Sequence, residues 1–475
     1  MGSKVVSSRL SAMVLKALGV FGTAEGLAML CGLVRTKLVA LWVGAAGVGL
    51  FGLLNSVVEM IGALTQSGLR NSAVRQIASR HDGPGRQVSI FVGRRLALVL
   101  GLLLGVLCAC LSPVLSYMSF GDYSYWWGFC WLGVCILFNS LTAMESGVLQ
   151  GVNRLAAIAK ASVSGSLVAL FVSVPMLYVW RIDGVVPVIL AYSVSMFVCY
   201  LWQRYRTRFN TSDANHGEYI GSSKDMLRFG LFLTASGFVV WVVNYILMSY
   251  VNNHGGGLQL GYFQCGYTVV VKYMGVVFSA IGMEFFPRLS QAMGRGAKRG
   301  SVFVNHEIYV MLCVVVGLSC VLAALAPVVV RLLYSSEFLP AVPYIMLAML
   351  GCVGRCVSWC MGYMVVAKGD GHVYMAMETV SGLLCLGLSI AGYHLMGLSG
   401  LGWAFAVWYL LYAVIVYMVV RCRYGYRMSS ATAWWVALSM VFISLTVWLA
   451  AAVSVWMSLL TAAIGLVVCL WMLKR

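Results

Sequence analysis

The sequence predicts an all-α, polytopic membrane protein with about 14 transmembrane helices, arranged as two six-helix lobes plus a C-terminal helix pair. Apolar runs of about 20 residues recur from Met13 to Leu473, and each is long enough to cross a bilayer as a helix. Hydrophobic residues make up 61% of the chain and charged residues only 10%, which excludes a soluble fold. The polar gaps between the runs alternate between strongly basic and nearly uncharged.

The gaps define fourteen predicted spans, which we number in chain order: 13–41, 49–69, 92–116, 126–148, 157–180, 184–202, 229–251, 261–285, 308–331, 341–366, 373–395, 401–420, 433–451 and 454–472. The domains predicted from this order are an N-lobe at 1–203 (spans 1–6), an inter-lobe linker at 204–228, a C-lobe at 229–420 (spans 7–12) and the final pair at 421–475.

The distribution of basic residues predicts the orientation. Of the 32 Lys and Arg residues, 26 lie in alternate gaps, at the span ends that adjoin them or at the two termini, and basic gaps stay in the cytoplasm. Both termini are therefore expected in the cytoplasm, in a multi-pass protein of the bacterial inner (cytoplasmic) membrane. The net charge of +18 is explained by this insertion signal and is no indication of nucleic-acid binding.

A short internal repeat supports the two lobes. Residues 19–26 in span 1 resemble residues 230–237 in span 7, and Gly49-Leu50-Phe51 resembles Gly261-Tyr262-Phe263, at offsets of 211 and 212 residues. Both copies begin on the same side, which predicts parallel repeats of the kind found in transporters, where the binding site lies at the repeat interface. Because the match is short, chance similarity between apolar helices is the alternative.

The region around spans 1 and 2 resembles a known family. The segments Gly32–Lys37, Gly47–Phe51 and Gly68–Arg75, with Asn55 between them, are similar to the N-terminal region of bacterial oligosaccharide-lipid flippases. These are the O-antigen translocase type within the multidrug/oligosaccharidyl-lipid/polysaccharide exporter superfamily. Many such flippases have twelve helices, whereas the peptidoglycan-precursor flippases of the superfamily have fourteen, so the substrate subclass stays open.

The resemblance implies a function, a mechanism and partners. It implies that a V-shaped pair of lobes opens alternately to each face and flips undecaprenyl-pyrophosphate-linked oligosaccharide repeat units to the periplasmic leaflet. The flipped units would serve surface polysaccharide, O-antigen or lipopolysaccharide assembly. The expected partners are the lipid-linked oligosaccharide, membrane lipid, a polysaccharide polymerase and a chain-length regulator, with the flippase itself a monomer. No cofactor is expected, and coupling to protons or sodium is left open.

Polar residues inside the spans predict the substrate site, because a charged side chain at mid-bilayer costs at least about 2.5–3.5 kcal/mol and therefore faces protein or a watery cavity. Span 2 carries a stripe with Asn55, Glu59 and Gln66 at helical spacing, and span 8 carries one with Gln264 and Lys272. The predicted substrate-binding residues are Arg35, Lys37, Asn55, Gln66, Asn244, Gln264, Lys272 and Arg355, and the candidates for ion coupling or gating are Glu25 and Glu59.

Cations outnumber acids among these residues, which favours an anionic substrate. A pyrophosphate would supply the partner that a buried cation requires, and the planar fork of arginine suits phosphate oxygens. The structural alternative is a buried Glu59–Lys272 ion pair that holds the lobes together. A multidrug exporter of the same superfamily is the main rival function, and acids are expected to dominate its cavity because its substrates are usually cations.

An enzyme is not expected. No Ser/His/Asp set, paired carboxylates with catalytic spacing or metal-type cysteine cluster occurs in the sequence, and the longest gap, at 203–228, is short. Glu145, Glu284 and Glu378 lie near the inner ends of spans, where pairing with loop arginines or snorkelling is the expected role. The sequence therefore indicates a transporter.

Overall fold

The computed structural model describes residues 26–79, 84–207 and 216–452, with five further positions between 458 and 465. Within these ranges every regular element is a helix, which confirms the all-α class. The first half of span 1 with Glu25, most of span 14, and 208–215 of the predicted linker lie outside the described residues.

The first half of the chain contains eight helices and a π-helical turn. Helix α1 covers 26–42. The others are α2 Gly44–Ala63, a π-turn at Leu64–Leu69, α3 Arg70–Ser79, α4 Pro84–Cys110, α5 Ser112–Phe120, α6 Trp126–Gly151, α7 Leu155–Trp180 and α8 Val185–Thr207.

The second half begins with a long helix. Its elements are α9 His216–Tyr267, a π-turn at Thr268–Tyr273, α10 Met274–Gly294, α11 Ala297–Ala324, α12 Ala326–Leu333, a 3-10 turn at Ser336–Ala341, α13 Val342–Lys368, α14 Gly371–Tyr424 and α15 Ser430–Ala452. Two of these helices are interrupted, α9 at Gly256 (φ 72°, ψ 175°) and α14 at Gly397 (φ 60°, ψ −137°). Glycine suits both breaks because it adopts a positive φ without steric cost.

Ten helical stretches in the described part of the chain are long and apolar enough to cross a membrane. The stretch Gly237–Gly294 contains most of span 7 and all of span 8 on either side of Gly256, and Gly371–Tyr424 contains spans 11 and 12 on either side of Gly397. The ten stretches thus account for twelve of the fourteen predicted spans. The protein is an all-α, multi-pass membrane protein.

Contacts group the chain into two compact units, Met1–Asn253 and His254–Arg475. The repeat-related lobes, with their boundary at 204–228, remain a prediction. In the first unit α6 packs against α3, α4 and α8. Gly105 of α4 and Gly133 of α6 meet so closely that a Cβ on either would lie 2.6 Å or less from the other's carbonyl oxygen. Small residues allow such close helix contacts in membranes.

The second unit is built around α13, which packs against α11 and α14. Helix α15 is joined to α11 through Asn305. The Asn305 side chain donates to the Arg427 carbonyl (2.9 Å) and accepts from the Tyr426 hydroxyl and the Ser429 amide (both 3.0 Å). This satisfied polar junction lies directly before α15, which corresponds to the thirteenth predicted span.

Orientation can be tested by labelling introduced cysteines in whole cells. We expect a membrane-impermeant thiol reagent to label cysteines placed at Asn253 and Ser336. Cysteines at Arg206 and Lys298 should react only after the membrane is permeabilised, because basic gaps stay in the cytoplasm. The parental protein, in which Cys110 and Cys422 are exposed, provides the background. Labelling of Lys298→Cys in intact cells would contradict the predicted orientation.

Candidate functional site

The first cation of the predicted site, Arg35, lies in α1 toward the outer end of span 1 and packs against aromatic rings. Its guanidinium carbon is 4.2 Å from the ring centroid of Tyr192 in α8 and 5.4 Å from that of Phe51 in α2. Its buried Nε has no hydrogen-bond partner among the described residues, and no carboxylate of that part of the chain forms an ion pair with Arg35. The aromatic rings therefore stabilise the positive charge of Arg35, and no carboxylate among the described residues neutralises it.

A second cation of the predicted site, Arg355 near the middle of α13, has a similar environment in the second unit. Its Nη1 donates to the backbone carbonyl of Val270 at 3.2 Å. Its guanidinium carbon lies 4.7 Å from the ring centroid of Phe278 and 5.9 Å from that of Tyr409. Within the described ranges, no carboxylate is paired with Arg355.

The Val270 carbonyl is supplied by the π-turn Thr268–Tyr273. A π-turn bonds each amide to the carbonyl five residues earlier, so it shifts the regular helical pattern and can leave a carbonyl for a side chain. The same turn carries Lys272, an exposed residue with contacts of its own. Lys272 therefore lies in the same turn that Arg355 of α13 contacts through the Val270 carbonyl.

The environment of both arginines stabilises a cation without neutralising it. Each cation–π contact contributes about 0.5–1 kcal/mol when exposed and about 2 kcal/mol when desolvated. Rings and a carbonyl bear only partial negative charge, so an arriving anion would still gain the full attraction of the guanidinium. The arrangement suits a phosphate, which accepts two parallel N–H bonds from one guanidinium.

The polar stripe of span 2 is tied to its own helix. The Asn55 amide donates to the Phe51 carbonyl at 2.8 Å, and the Gln66 amide donates to the Val58 carbonyl at 3.3 Å. Gln66 lies in the first π-turn, Leu64–Leu69. Glu59 and Lys37 are half-buried and have contacts within the protein. The pairing of Glu59 with Lys272 remains a prediction.

Two predicted site residues present buried acceptors. Asn244 in the first unit is 6% exposed and Gln264 in the second is 8% exposed. Asn244 Oδ1 and Gln264 Oε1 have no hydrogen-bond partner among the described residues. Leaving a buried polar group unpaired costs about 1–3 kcal/mol, so each oxygen is suited to accept a hydroxyl from a bound molecule or a water.

The sequence matches a known protein family. The family model described as polysaccharide biosynthesis protein matches residues 14–293, more than half of the chain. The chain belongs to the polysaccharide biosynthesis protein family. No curated protein matches the sequence significantly. The predicted family membership is thereby confirmed.

Solved structures share the fold of this polysaccharide biosynthesis family member. The lipid II flippase MurJ in an inward closed conformation matches with a TM-score of 0.73 at 12% identity, covering 95% of this chain and 97% of its own. A multidrug resistance MATE family transporter of the MOP superfamily matches in its inward-facing conformation with a TM-score of 0.70 at 18% identity, covering 84% and 94%. An outward-facing MATE transporter matches with a TM-score of 0.64 at 18% identity, covering 86% and 96%.

Arg94 and Arg204 belong to the basic residues whose distribution predicts the orientation. In the structure both pair with Glu145: Arg94 donates two bonds, at 2.7 and 2.8 Å, and Arg204 donates one at 3.3 Å. The expectation that Glu145 pairs with arginines is confirmed. Glu284 pairs with Arg288 on the exposed face of α10, and Glu378 accepts from the Tyr412 hydroxyl at 3.2 Å.

Proposed function

We propose that the protein flips lipid-linked oligosaccharides, carried on undecaprenyl pyrophosphate, from the cytoplasmic to the periplasmic leaflet of the inner membrane by alternating access. Membership of the polysaccharide biosynthesis family supports the sugar part of this proposal. The likeness in fold to a lipid II flippase supports a lipid-linked substrate. The likeness to MATE transporters in inward-facing and outward-facing conformations supports alternating access.

The observation that carries the proposal is the environment of Arg35 and Arg355. Arg355 lies near the middle of its predicted span and Arg35 lies toward the outer end of its own. Both guanidiniums rest against aromatic rings, and neither is ion-paired within the described part of the chain. Keeping a charge inside a membrane is costly, so such residues usually serve a substrate or an ion. A pyrophosphate offers the opposite charge and the geometry that arginine recognises. Asn244 and Gln264 would accept hydroxyl groups of the sugars.

The head and the tail of the lipid-linked substrate would occupy different environments during translocation. The charged pyrophosphate and the sugar hydroxyls cannot cross hydrocarbon unaided, whereas the prenyl tail never has to leave it. The arginines and polar stripes would thus replace water around the head while the tail stays in lipid. Lys37 and Lys272 would add positive charge to the site. Asn55 and Gln66 would form hydrogen bonds with the head. Glu25 and Glu59 would gate the site or couple it to protons or sodium.

A peptidoglycan-precursor flippase is the second candidate. The lipid II flippase MurJ matches 95% of the chain, and the sequence predicts fourteen spans, the number expected of peptidoglycan-precursor flippases. Both candidates require a cationic site for a lipid-linked head, so Arg35 and Arg355 do not separate them. The lipid that accumulates on deletion separates them, because a lost flippase leaves its own substrate on the cytoplasmic leaflet.

Deletion of the gene tests the function. We expect the surface polysaccharide to disappear while undecaprenyl-linked repeat units accumulate on the cytoplasmic leaflet, measured by glycan staining and by mass spectrometry of extracted lipids. The efflux of cationic dyes should not change, and a plasmid copy should restore the polysaccharide. Intact surface glycans with increased dye accumulation would establish an exporter instead. Accumulation of peptidoglycan precursor would establish the second candidate.

A further inference from the structure

A cavity of about 300 Å³ lies between α4, α6 and α8 in the first unit, and the proposed translocation does not use it. Its polar lining consists of Arg94, Arg95, Glu145 and Arg204. Apolar side chains, among them Leu98 and Phe197, form the remaining wall. The cavity is therefore amphipathic, with charge and apolar surface side by side.

The charges leave the cavity positive. Three arginines face one glutamate, a formal excess of two positive charges. Arg94 is 13% exposed and is fixed by two bonds to Glu145, whereas Arg204 is 41% exposed. Arg95 is exposed and lies 4.8 Å over the Phe91 ring, without a carboxylate partner in the part of the chain that the structure describes. Arg95 and Arg204 can thus reach an anion that enters the cavity.

Neighbouring side chains place the cavity where lipid headgroups lie. Trp202 and Tyr205 are exposed on α8 beside Arg204, and the Arg206 guanidinium lies 4.9 Å over the Trp202 ring. Exposed aromatic and basic residues together are typical of the membrane interface. On the other side, α4 continues past Leu98 with an exposed apolar face that includes Leu102.

We propose that this cavity binds the phosphate headgroup of an anionic phospholipid. Arg95 and Arg204 would donate to the phosphate, and one acyl chain would lie along the apolar wall that starts at Leu98. Basic pockets between transmembrane helices bind anionic lipid headgroups in this way. Free phosphate would satisfy the arginines and leave the apolar wall unused. The site is separate from Arg35 and Arg355, and it does not depend on which substrate is flipped.

Native mass spectrometry of the full-length protein in detergent tests the proposal by titration with dioleoyl phosphatidylglycerol or dioleoyl phosphatidylcholine. We expect phosphatidylglycerol to bind more tightly than phosphatidylcholine. Each of the changes Arg95→Gln and Arg204→Gln should weaken the binding of phosphatidylglycerol about fivefold. The double change should weaken it about thirtyfold, towards the affinity measured for phosphatidylcholine. The control is Arg154→Gln, which removes an exposed charge at the same end of the unit and outside the cavity. It should bind like the parent.

Size-exclusion profiles and melting temperatures show that each variant is folded before its affinity is compared. Equal binding of the two lipids would overturn the proposal, and so would an equal loss of binding in Arg154→Gln, which would show general surface attraction. Displacement of phosphatidylglycerol by an excess of inorganic phosphate alone would overturn the lipid assignment in favour of a free phosphate. Retention of phosphatidylglycerol under that excess would support it.

Discussion

Replacing Arg355 by alanine should abolish surface polysaccharide while the protein still inserts and accumulates. The change removes a guanidinium that rests against Phe278 and Tyr409 and has no ion-paired partner within the described ranges. In the proposed complex Arg355 pairs with the phosphate of the substrate. Truncating one member of such a buried charge pair costs about 2–5 kcal/mol, so transport should fall at least about thirtyfold. The measurement is surface glycan in a complemented deletion strain, normalised to protein in the membrane.

Two further variants identify the cause of that loss. Arg355→Lys keeps the charge and loses the planar fork, so partial transport is expected if phosphate is the ligand. Arg331→Ala removes an exposed arginine from α12 and should transport like the parent. Full polysaccharide in Arg355→Ala at normal protein level would show that the guanidinium is only packing against its rings. Arg35→Ala is expected to behave as Arg355→Ala does.

The transmembrane spans could be predicted from the sequence because lipid selects for long apolar runs, whatever the tertiary contacts. The ends of helices could not. Helix α11 begins at Ala297, whereas the predicted span begins at 308, because Lys298 and Arg299 are charged yet helical. Hydropathy measures the hydrocarbon-facing part of a helix, and the basic turns that continue beyond it have no apolar signal.

The candidate site was predictable only in part. A lone arginine in an apolar run, such as Arg355, is conspicuous in a sequence because it is costly in a membrane. The groups around Arg355 cannot be predicted in this way, because Phe278, Tyr409 and the Val270 carbonyl come from other helices. The two π-turns depend on a local shift in hydrogen bonding that hydropathy does not register.

The surroundings of Glu145 were also only partly predictable from the sequence. Its position near a span end suggested an arginine partner, but the sequence could not show that Arg94 binds it with two bonds at only 13% and 6% exposure of the two side chains. At that burial the pair behaves as a buried ion pair. Its members depend on each other, because either one alone would be an uncompensated charge in a low dielectric.

Replacing Glu145 by alanine should therefore destabilise the first unit by about 3–5 kcal/mol, the usual cost of breaking a buried pair by removing one partner. We expect a large fall in the melting temperature of the purified protein in detergent, measured by a fluorescence thermal shift, and reduced accumulation in the membrane. The matched control is Glu284→Ala, which breaks the exposed Glu284–Arg288 pair on α10. Exposed pairs contribute only about 0–1 kcal/mol, so this variant should melt close to the parent.

The double change Arg94→Met/Glu145→Leu separates the lost attraction from the remaining charge. Replacing a buried ion pair by apolar side chains of similar size is often neutral or stabilising, so the double variant should melt well above Glu145→Ala. Arg204, with 41% of its side chain exposed, can turn to water when its partner is removed and should not prevent this recovery. A double variant that melts as low as Glu145→Ala would contradict this account, because the loss would then arise from the bonds themselves and not from an isolated Arg94.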